Sequence, residues 1–137
     1  MKNFEYFDVT ADIGFHSYGK NLNEAFENAG LAIFNIISDT KDIDCEIEKS
    51  FEIDSEDEVS LLYDYLEELL FLHEVEFMLF AEFHVEINED LHLKATIKGE
   101  PIDWDKHERK TEIKAITFHM MDVEIKENVK LTAIVDL

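Results

Sequence analysis

Apolar residues recur at the helical period in two stretches of this chain. In NLNEAFENAGLAIFNIIS, residues 21–38, they return every three or four positions, which predicts an amphipathic helix. Asn21 followed by Glu24 has the spacing of a capping box and predicts the start of that helix. Gly30 inside it costs about 1 kcal/mol relative to alanine, so we expect it to mark close packing against a sheet.

The second helical stretch is SEDEVSLLYDYLEELLFLHEVEF, residues 55–77. Its leucines form a broad apolar stripe at helical spacing, so we predict a deeply packed helix. Ser55 and Glu58 repeat the spacing of a capping box, which predicts an N-cap at Ser55.

Alternation of apolar and polar residues, the period of a strand, occupies most of the remaining chain. The predicted strand segments are residues 4–18 with an interruption at Thr10–Gly14, 43–53, 79–87, 91–97, 113–125 and 129–135. Asn88-Glu89-Asp90 predicts a hairpin, and the apolar parity changes near Met120, which predicts a β-bulge. The polar segment 101–110 is predicted to be a loop.

The order of these elements is strand, helix, strand, helix and then several antiparallel strands. We therefore predict an α+β fold in which two helices pack on a largely antiparallel β-sheet. The chain has 137 residues, of which 46% are apolar, and this is enough material for one domain over residues 1–137.

The net charge of −21 narrows the classes of function. A surface this acidic repels phosphate backbones, so we expect little direct nucleic-acid binding; it suits a basic protein partner or hard cations. Arg109 is the only arginine, which makes bidentate phosphate clamps scarce. The acidic N-terminus and the lack of a run of about 20 apolar residues predict no signal peptide, no membrane span and a cytoplasmic protein.

The sequence lacks the motifs of common catalytic sites. It contains no glycine-rich phosphate loop and no Gly-x-Ser-x-Gly nucleophile elbow. Cys45, the only cysteine, lies in a predicted strand among acidic residues, and we expect a buried thiol rather than a nucleophile. We therefore predict that the chain is not an enzyme.

Two carboxylates lie where a solvated surface does not account for them. Asp12 lies in an apolar kink, and Asp136 precedes the last residue, Leu137, whose terminal carboxylate adds another oxygen. If the first and last segments approach each other, these oxygens could hold a hard cation. Lys114 lies in an apolar run, TEIKAITF, where an outward lysine paired with an acid across the strand is the simpler interpretation.

Five blocks of the sequence together resemble the archease family, whose members activate RtcB-type RNA-splicing ligases. They are TADIGF (10–15), LNEAF (22–26), LLYDYLEELLFL (61–72), TEIKAITFH (111–119) and the terminal VDL. The blocks occur in the family's order and span essentially the whole chain.

The resemblance implies a role in activating another enzyme. Archeases promote guanylylation of the ligase's active-site histidine and support its repeated turnover, whereas the ligase binds GTP and manganese and seals the RNA. By resemblance, the family's metal-binding acidic positions correspond to Asp12 and Asp136, with Leu137 as an oxygen ligand, and its essential lysine corresponds to Lys114. Ca²⁺ is the expected ion, with Mg²⁺ and Mn²⁺ as alternatives, and tRNA is expected to be contacted only through the ligase.

The chain departs from the family at Val9, where archeases usually have histidine before Thr-Ala-Asp. The role of that histidine is then absent or supplied elsewhere, for which His16 and His119 are candidates, and Glu112 is a further accessory candidate. Two other classes of function stay open. One is a general chaperone or modulator of nucleic-acid-processing enzymes; the other, ranked lower, is a metal-dependent phosphoesterase that uses the Asp pair.

Overall fold

The computed structural model describes residues 2–137, which form seven β-strands and two α-helices. In chain order they are β1 (Phe4–Val9), β2 (Asp12–Gly19), α1 (Leu22–Ile37), β3 (Ile47–Asp54), α2 (Glu58–Glu76), β4 (Met78–Ile87), β5 (His92–Pro101), β6 (Ala115–Ile125) and β7 (Val129–Asp136). A 3₁₀ turn at Thr40–Asp42 lies between α1 and β3. Neither helix is long and apolar enough to cross a lipid bilayer.

The strands form two antiparallel sheets rather than one. The first has the order β1-β2-β7-β6 and the second has the order β3-β5-β4. The predicted α+β fold with two helices on antiparallel strands is confirmed, and the division into two sheets is an addition to it. The division arises because β7 pairs with β2 from the start of the chain, whereas β4 and β5 pair locally through a hairpin.

α1 lies between the two sheets, which explains why it is buried on nearly every side. On one side the Tyr6 hydroxyl of β1 donates a hydrogen bond to the Ala32 carbonyl (2.7 Å). On the other side Gly30 lies under the Phe83 ring of β4, and a Cβ there would be 2.6 Å from a ring carbon. The expectation that Gly30 marks close packing against a sheet is confirmed.

Polar side chains of α1 complete the open edge of β4. The Glu27 carboxylate accepts from the Val85 N–H (2.9 Å), and the Asn23 amide oxygen accepts from the Ile87 N–H (2.9 Å). Two donors that an edge strand leaves to water or to another chain are thereby satisfied inside the fold. These bonds hold the second sheet against the central helix.

The N-cap of α2 differs from the prediction. The Asp57 side chain accepts from the Ser60 N–H (2.8 Å), whereas the Ser55 hydroxyl donates to the Asp64 carboxylate (2.9 Å). Both residue types can cap a helix, but a carboxylate at the cap also interacts favourably with the helix dipole. The predicted cap at Ser55 is therefore wrong.

The prediction that Cys45 is buried is also wrong. β3 begins at Ile47, and Cys45 in the segment before it is exposed. The apolar alternation in the sequence begins at Ile43, four residues before the strand does. Ile43 packs into the core from this segment, whereas Cys45 does not. Desolvation and the neighbouring Glu82 carboxylate raise the pKa of the Cys45 thiol, which argues against a nucleophile at this position.

Tyr65 of α2 is fully buried against Phe26 and Phe51, and its hydroxyl has no hydrogen-bond partner within residues 2–137. We expect Tyr65→Phe to leave stability unchanged or raise it by up to about 2 kcal/mol, because a buried unpaired hydroxyl is costly. Urea unfolding measures the difference. Tyr6→Phe is the matched control, since it removes a hydroxyl that is bonded and should cost about 1 kcal/mol. A Tyr65→Phe chain less stable than Tyr6→Phe would contradict this assignment.

Candidate metal-binding tip

The first hairpin turns at Thr10-Ala11 and places Asp12 at the start of β2. Ala11 has a φ of 64°, in the left-handed region that residues other than glycine rarely adopt. This conformation lets the chain reverse within two residues, so that Val9 and Asp12 already pair across the hairpin. Asp12 is therefore held in the sheet rather than in a loop.

Asp12 and Asp136 project to the same face of the first sheet. They are directly opposite each other in the β2–β7 pair, and Ala115 is opposite Asp136 in the β6–β7 pair. Residues opposite each other in an antiparallel pair share a face, with Cβ atoms about 4.5–5.5 Å apart. Because the next pair along, Ile13 and Val135, faces the core, the two carboxylates project to the outer face.

The end of the chain and the segment before β6 complete the tip, which we define as Asp12, Lys114, Asp136 and Leu137. The Lys114 N–H donates to the Asp136 carbonyl (2.8 Å), which fixes that segment against the end of β7. Leu137 packs partly against the core, which keeps it beside Asp136. The structure thus brings all four residues of the predicted site together.

The tip carries negative charge that the described chain does not balance. None of the ion pairs formed within residues 2–137 involves Asp12, Asp136 or Lys114. Like charges directly opposite each other on paired strands destabilise the pair. A cation bound between the two carboxylates would remove this repulsion.

The donor atoms of the tip fit a hard divalent cation. Ca²⁺ takes carboxylate oxygens at about 2.3–2.6 Å and Mg²⁺ at about 2.0–2.1 Å, and both accept water as further ligands. The part of the chain that the structure describes contains no cluster of three or more His, Cys, Asp or Glu side chains able to hold a metal. A site here would therefore use Asp12, Asp136 and an oxygen of Leu137, completed by water or by oxygens of another molecule.

His16 lies away from the tip. It is on the same face of β2 as Asp12 but four residues further along, which is about 13 Å at the rise of a strand. Its Nδ1 lies 2.9 Å from the Thr132 hydroxyl, and its ring stacks on Phe7 with centroids 4.8 Å apart. Burial lowers the pKa of His16, and Lys130 acts in the same direction, so the neutral ring is favoured.

The sequence is similar to known proteins over its whole length. A model of the archease protein family matches residues 4–137. The chain belongs to the archease family. It is 52% identical over 141 residues to the protein archease of Methanothermobacter thermautotrophicus and 45% identical over 139 residues to that of Sulfurisphaera tokodaii, with 100% of each chain covered in both comparisons.

Solved archease structures share this fold. The solution structure of Methanobacterium thermoautotrophicum protein 1598, at 52% identity, matches with a TM-score of 0.90 and covers 100% of both chains. A crystal structure from Thermotoga maritima, described as an archease and possible chaperone, is 22% identical and has a TM-score of 0.67 over 96% of this chain and 94% of that chain. The second likeness shows the fold alone.

Position 9, where the family resemblance led us to expect histidine, faces the tip. Val9 is directly opposite Asp12 and therefore shares its face of the sheet. His119 is exposed in the irregular part of β6 between Thr117 and Asp122. The structure thus brings neither His16 nor His119 to position 9, where the resemblance led us to expect a histidine.

Sequence reasoning missed an aromatic groove beside the archease tip. Glu112, two residues before Lys114, lines it together with Phe77 at the end of α2 and Trp104 and Arg109 in the loop before β6. The sequence signal was the single tryptophan and single arginine of the chain, five positions apart in a polar segment. Glu112 therefore belongs to this groove, and within residues 2–137 no hydrogen bond or ion pair ties it to Asp12 or Asp136.

Proposed function

We propose that this chain activates an RtcB-type RNA-splicing ligase by promoting guanylylation of the ligase's histidine and supporting its repeated turnover. Membership in the archease family supports this role. The observation that carries it is the strand register that places Asp12 opposite Asp136 at the very end of the chain. Two unpaired carboxylates held on a rigid sheet are suited to present a cation to another molecule.

The tip residues would bind a cation and orient it, and they would not themselves carry out a chemical reaction. Asp12, Asp136 and the terminal carboxylate of Leu137 would hold a divalent cation, Ca²⁺ first, with Mg²⁺ and Mn²⁺ as alternatives. When bound, the ion supplies positive charge toward phosphate oxygens of the GTP that the ligase uses. Lys114, fixed to Asp136 through its backbone, would orient the carboxylates or contact a phosphate.

The charge of the chain fits this arrangement. A net charge of −21 complements an electropositive ligase mouth that accepts RNA and GTP, and it leaves RNA contacts to the ligase itself. In this proposal the tip enters that mouth. The partner is the ligase, and tRNA is reached only through it.

The geometry gives less support to a phosphoesterase. A hydrolase that uses this site needs a general base within hydrogen-bond reach of the attacking water. His16 lies about 13 Å away along the strand. The carboxylates of Asp12 and Asp136 would bind the cation and so would not serve as the base. Turnover of phosphoesters by the isolated chain with Mn²⁺ would contradict this ranking.

A general chaperone is the second candidate function. A related structure is described as a possible chaperone, and Phe71, Phe77 and Met120 are each more than half exposed. Exposed apolar side chains of this kind can hold unfolded clients. Suppression of aggregation of unrelated proteins such as citrate synthase, in the absence of ligase stimulation, would favour the chaperone.

Extending the chain past Leu137 is expected to remove ligase stimulation, because the terminal carboxylate becomes a peptide group and the tip is crowded. The measurement is the rate of guanylylation of purified ligase with GTP and Mn²⁺. The same extension at the N-terminus is the control: Phe4 pairs with Ser17, at the end of the sheet opposite to Asp12, so stimulation should persist. Equal stimulation by the two fusions would exclude the chain end from the site.

A further inference from the structure

Phe77 adopts a conformation that is unfavourable for a bulky residue. It ends α2 with φ 56° and ψ 49°, the left-handed region in which helix ends usually place glycine. Its side chain is 67% exposed, so burial gives nothing back for the strained backbone. Strained residues that the fold itself does not require are concentrated at functional sites.

An aromatic groove of about 360 Å³ opens beside Phe77, between the end of α2 and the loop before β6. The Ile102 N–H donates to the Phe77 carbonyl (2.8 Å), which holds the loop against the helix end. Trp104 lines the groove, and the Arg109 guanidinium carbon lies 5.2 Å from the centre of its ring. Glu74 adds a carboxylate to the same lining.

The apolar surface extends from the groove along α2. Phe71 and Val75 are each more than half exposed, and at a spacing of four residues they lie on one side of the helix. Phe71 is also one turn before Glu74, so this side of the helix adjoins the groove. About half of each of the Phe71 and Val75 side chains is left uncovered by residues 2–137.

The groove and the tip are joined by a short segment of the chain. Residues 111–118 run antiparallel to α2, because Glu112 lines the groove with Glu74 at one end while Phe118 stacks on Tyr63 (3.9 Å between centroids) at the other. Between these two contacts lies Lys114, whose backbone is bonded to Asp136. Glu112 and Lys114 are two residues apart, so a protein that receives the tip would lie close to the groove.

We propose that this groove is the docking surface for the partner ligase and that it binds a segment of the ligase carrying apolar and basic side chains. The proposal rests on the proposed function. The apolar side chains would pack on Phe77 and Trp104, and a lysine or arginine would pair with Glu74 or Glu112. The bound segment of the ligase is basic because two carboxylates line the groove against one arginine, and the whole chain has a net charge of −21.

Phe77→Gly tests the docking surface, because it removes the aromatic side chain and supplies the residue that the left-handed backbone prefers. The variant should melt at the same temperature as the unmodified chain or a few degrees higher, so weaker binding cannot be attributed to unfolding. We expect its Kd for purified ligase to rise about tenfold or more, as for an aromatic anchor at an interface. Stimulation of guanylylation should return to the full level at saturating variant.

Ile125→Ala is the matched control. Ile125 is another exposed apolar side chain, and it pairs with Val129 at the end of the sheet away from the tip, so this variant should bind and stimulate as the unmodified chain does. Asp12→Ala separates the two proposals, since it should bind the ligase but not stimulate it.

Three outcomes would overturn the docking surface. Ligase binding that is unchanged in Phe77→Gly, while the unmodified chain stimulates, would overturn it and leave the proposed function intact. Loss of tRNA binding by the isolated variant, with ligase binding unchanged, would assign the groove to nucleic acid. No ligase binding by the unmodified chain would overturn both proposals.

One further outcome concerns the proposed function alone. If the chain binds the ligase and this binding needs Phe77, but the chain does not stimulate guanylylation, only the proposed function is overturned.

Discussion

We expect the unmodified chain to stimulate ligase guanylylation and, without the ligase, to melt at a higher temperature when Ca²⁺ is added. An Asp12→Ala chain is expected to lose both effects. The variant removes one of two facing carboxylates and leaves too few anionic oxygens for the ion. Binding of a ligand to the folded state alone stabilises it by about 2.7 kcal/mol at a concentration 100 times Kd, so the thermal shift is measurable. Without metal the variant should be no less stable, because a repulsion between facing like charges is gone.

Asp8→Ala is the matched control for that experiment. Asp8 precedes Val9 in β1 and therefore projects to the opposite face from Asp12. This variant should keep both the stimulation and the Ca²⁺ shift, whereas Asp136→Asn should behave as Asp12→Ala does. Normal stimulation by Asp12→Ala, or an equal loss in Asp8→Ala, would show that the tip has been assigned wrongly.

The parts of the fold that local chemistry determines could be predicted from the sequence. α1 begins after Asn21, whose side chain accepts from the Glu24 N–H (2.9 Å), and β6 is irregular around Met120, which has a positive φ of 56°. Features that depend on a choice between neighbouring residues or on distant contacts could not be predicted from the sequence. Asp57 displaced Ser55 as a cap within the same few residues, and Cys45 is exposed because the sheet begins two residues later.

The candidate site also has parts that the sequence could predict and parts that it could not. Nothing local in the sequence says that Asp12 and Asp136, at opposite ends of the chain, share a register. The residue pattern offered the two as one possible pair and the family resemblance favoured it, but only the β2–β7 ladder shows the register. His16 was a candidate to replace the histidine expected at position 9, but four residues along a strand separate it from Asp12. The conformation of Phe77 leaves no trace in the sequence, because a helix end without glycine or asparagine gives no warning of a left-handed residue.

One buried carboxylate holds the loop that forms the groove and leads to the tip. Glu100, near the end of β5, accepts from the Lys106 ammonium (2.7 Å), the Asp44 N–H (2.6 Å) and His107 Nε2 (2.9 Å). His107 is buried as well, and its Nδ1 accepts from the Asp103 N–H (3.0 Å), so Nε2 carries the proton of the bond to Glu100. The loop depends on these bonds because it has no regular secondary structure of its own.

Glu100→Gln is expected to lower the free energy of unfolding by about 2 kcal/mol at pH 7, since hydrogen bonds to a charged group are worth about 1.5–3 kcal/mol. Desolvation alone raises the pKa of Glu100, but the bonds from Lys106, Asp44 and His107 outweigh it and lower the pKa from 4.5 to about 2. A carboxyl whose folded pKa is depressed contributes stability above its unfolded pKa and loses that contribution as pH falls through the folded pKa. Urea unfolding should therefore show a constant difference near neutral pH that shrinks between about pH 4.5 and 2.

Glu124→Gln provides the comparison for this pH series. The hydrogen bond from Lys126 lowers the pKa of Glu124 too, but this pair lies at the exposed end of β6, where solvent screens an ion pair. Glu124→Gln should therefore change stability far less than Glu100→Gln. Trypsin should also cleave after Lys106 and Arg109 faster in Glu100→Gln, because the loop before β6 loses its anchor. Equal stability of the two variants, or a difference that widens as pH falls, would mean that Glu100 does not hold this loop through its charge.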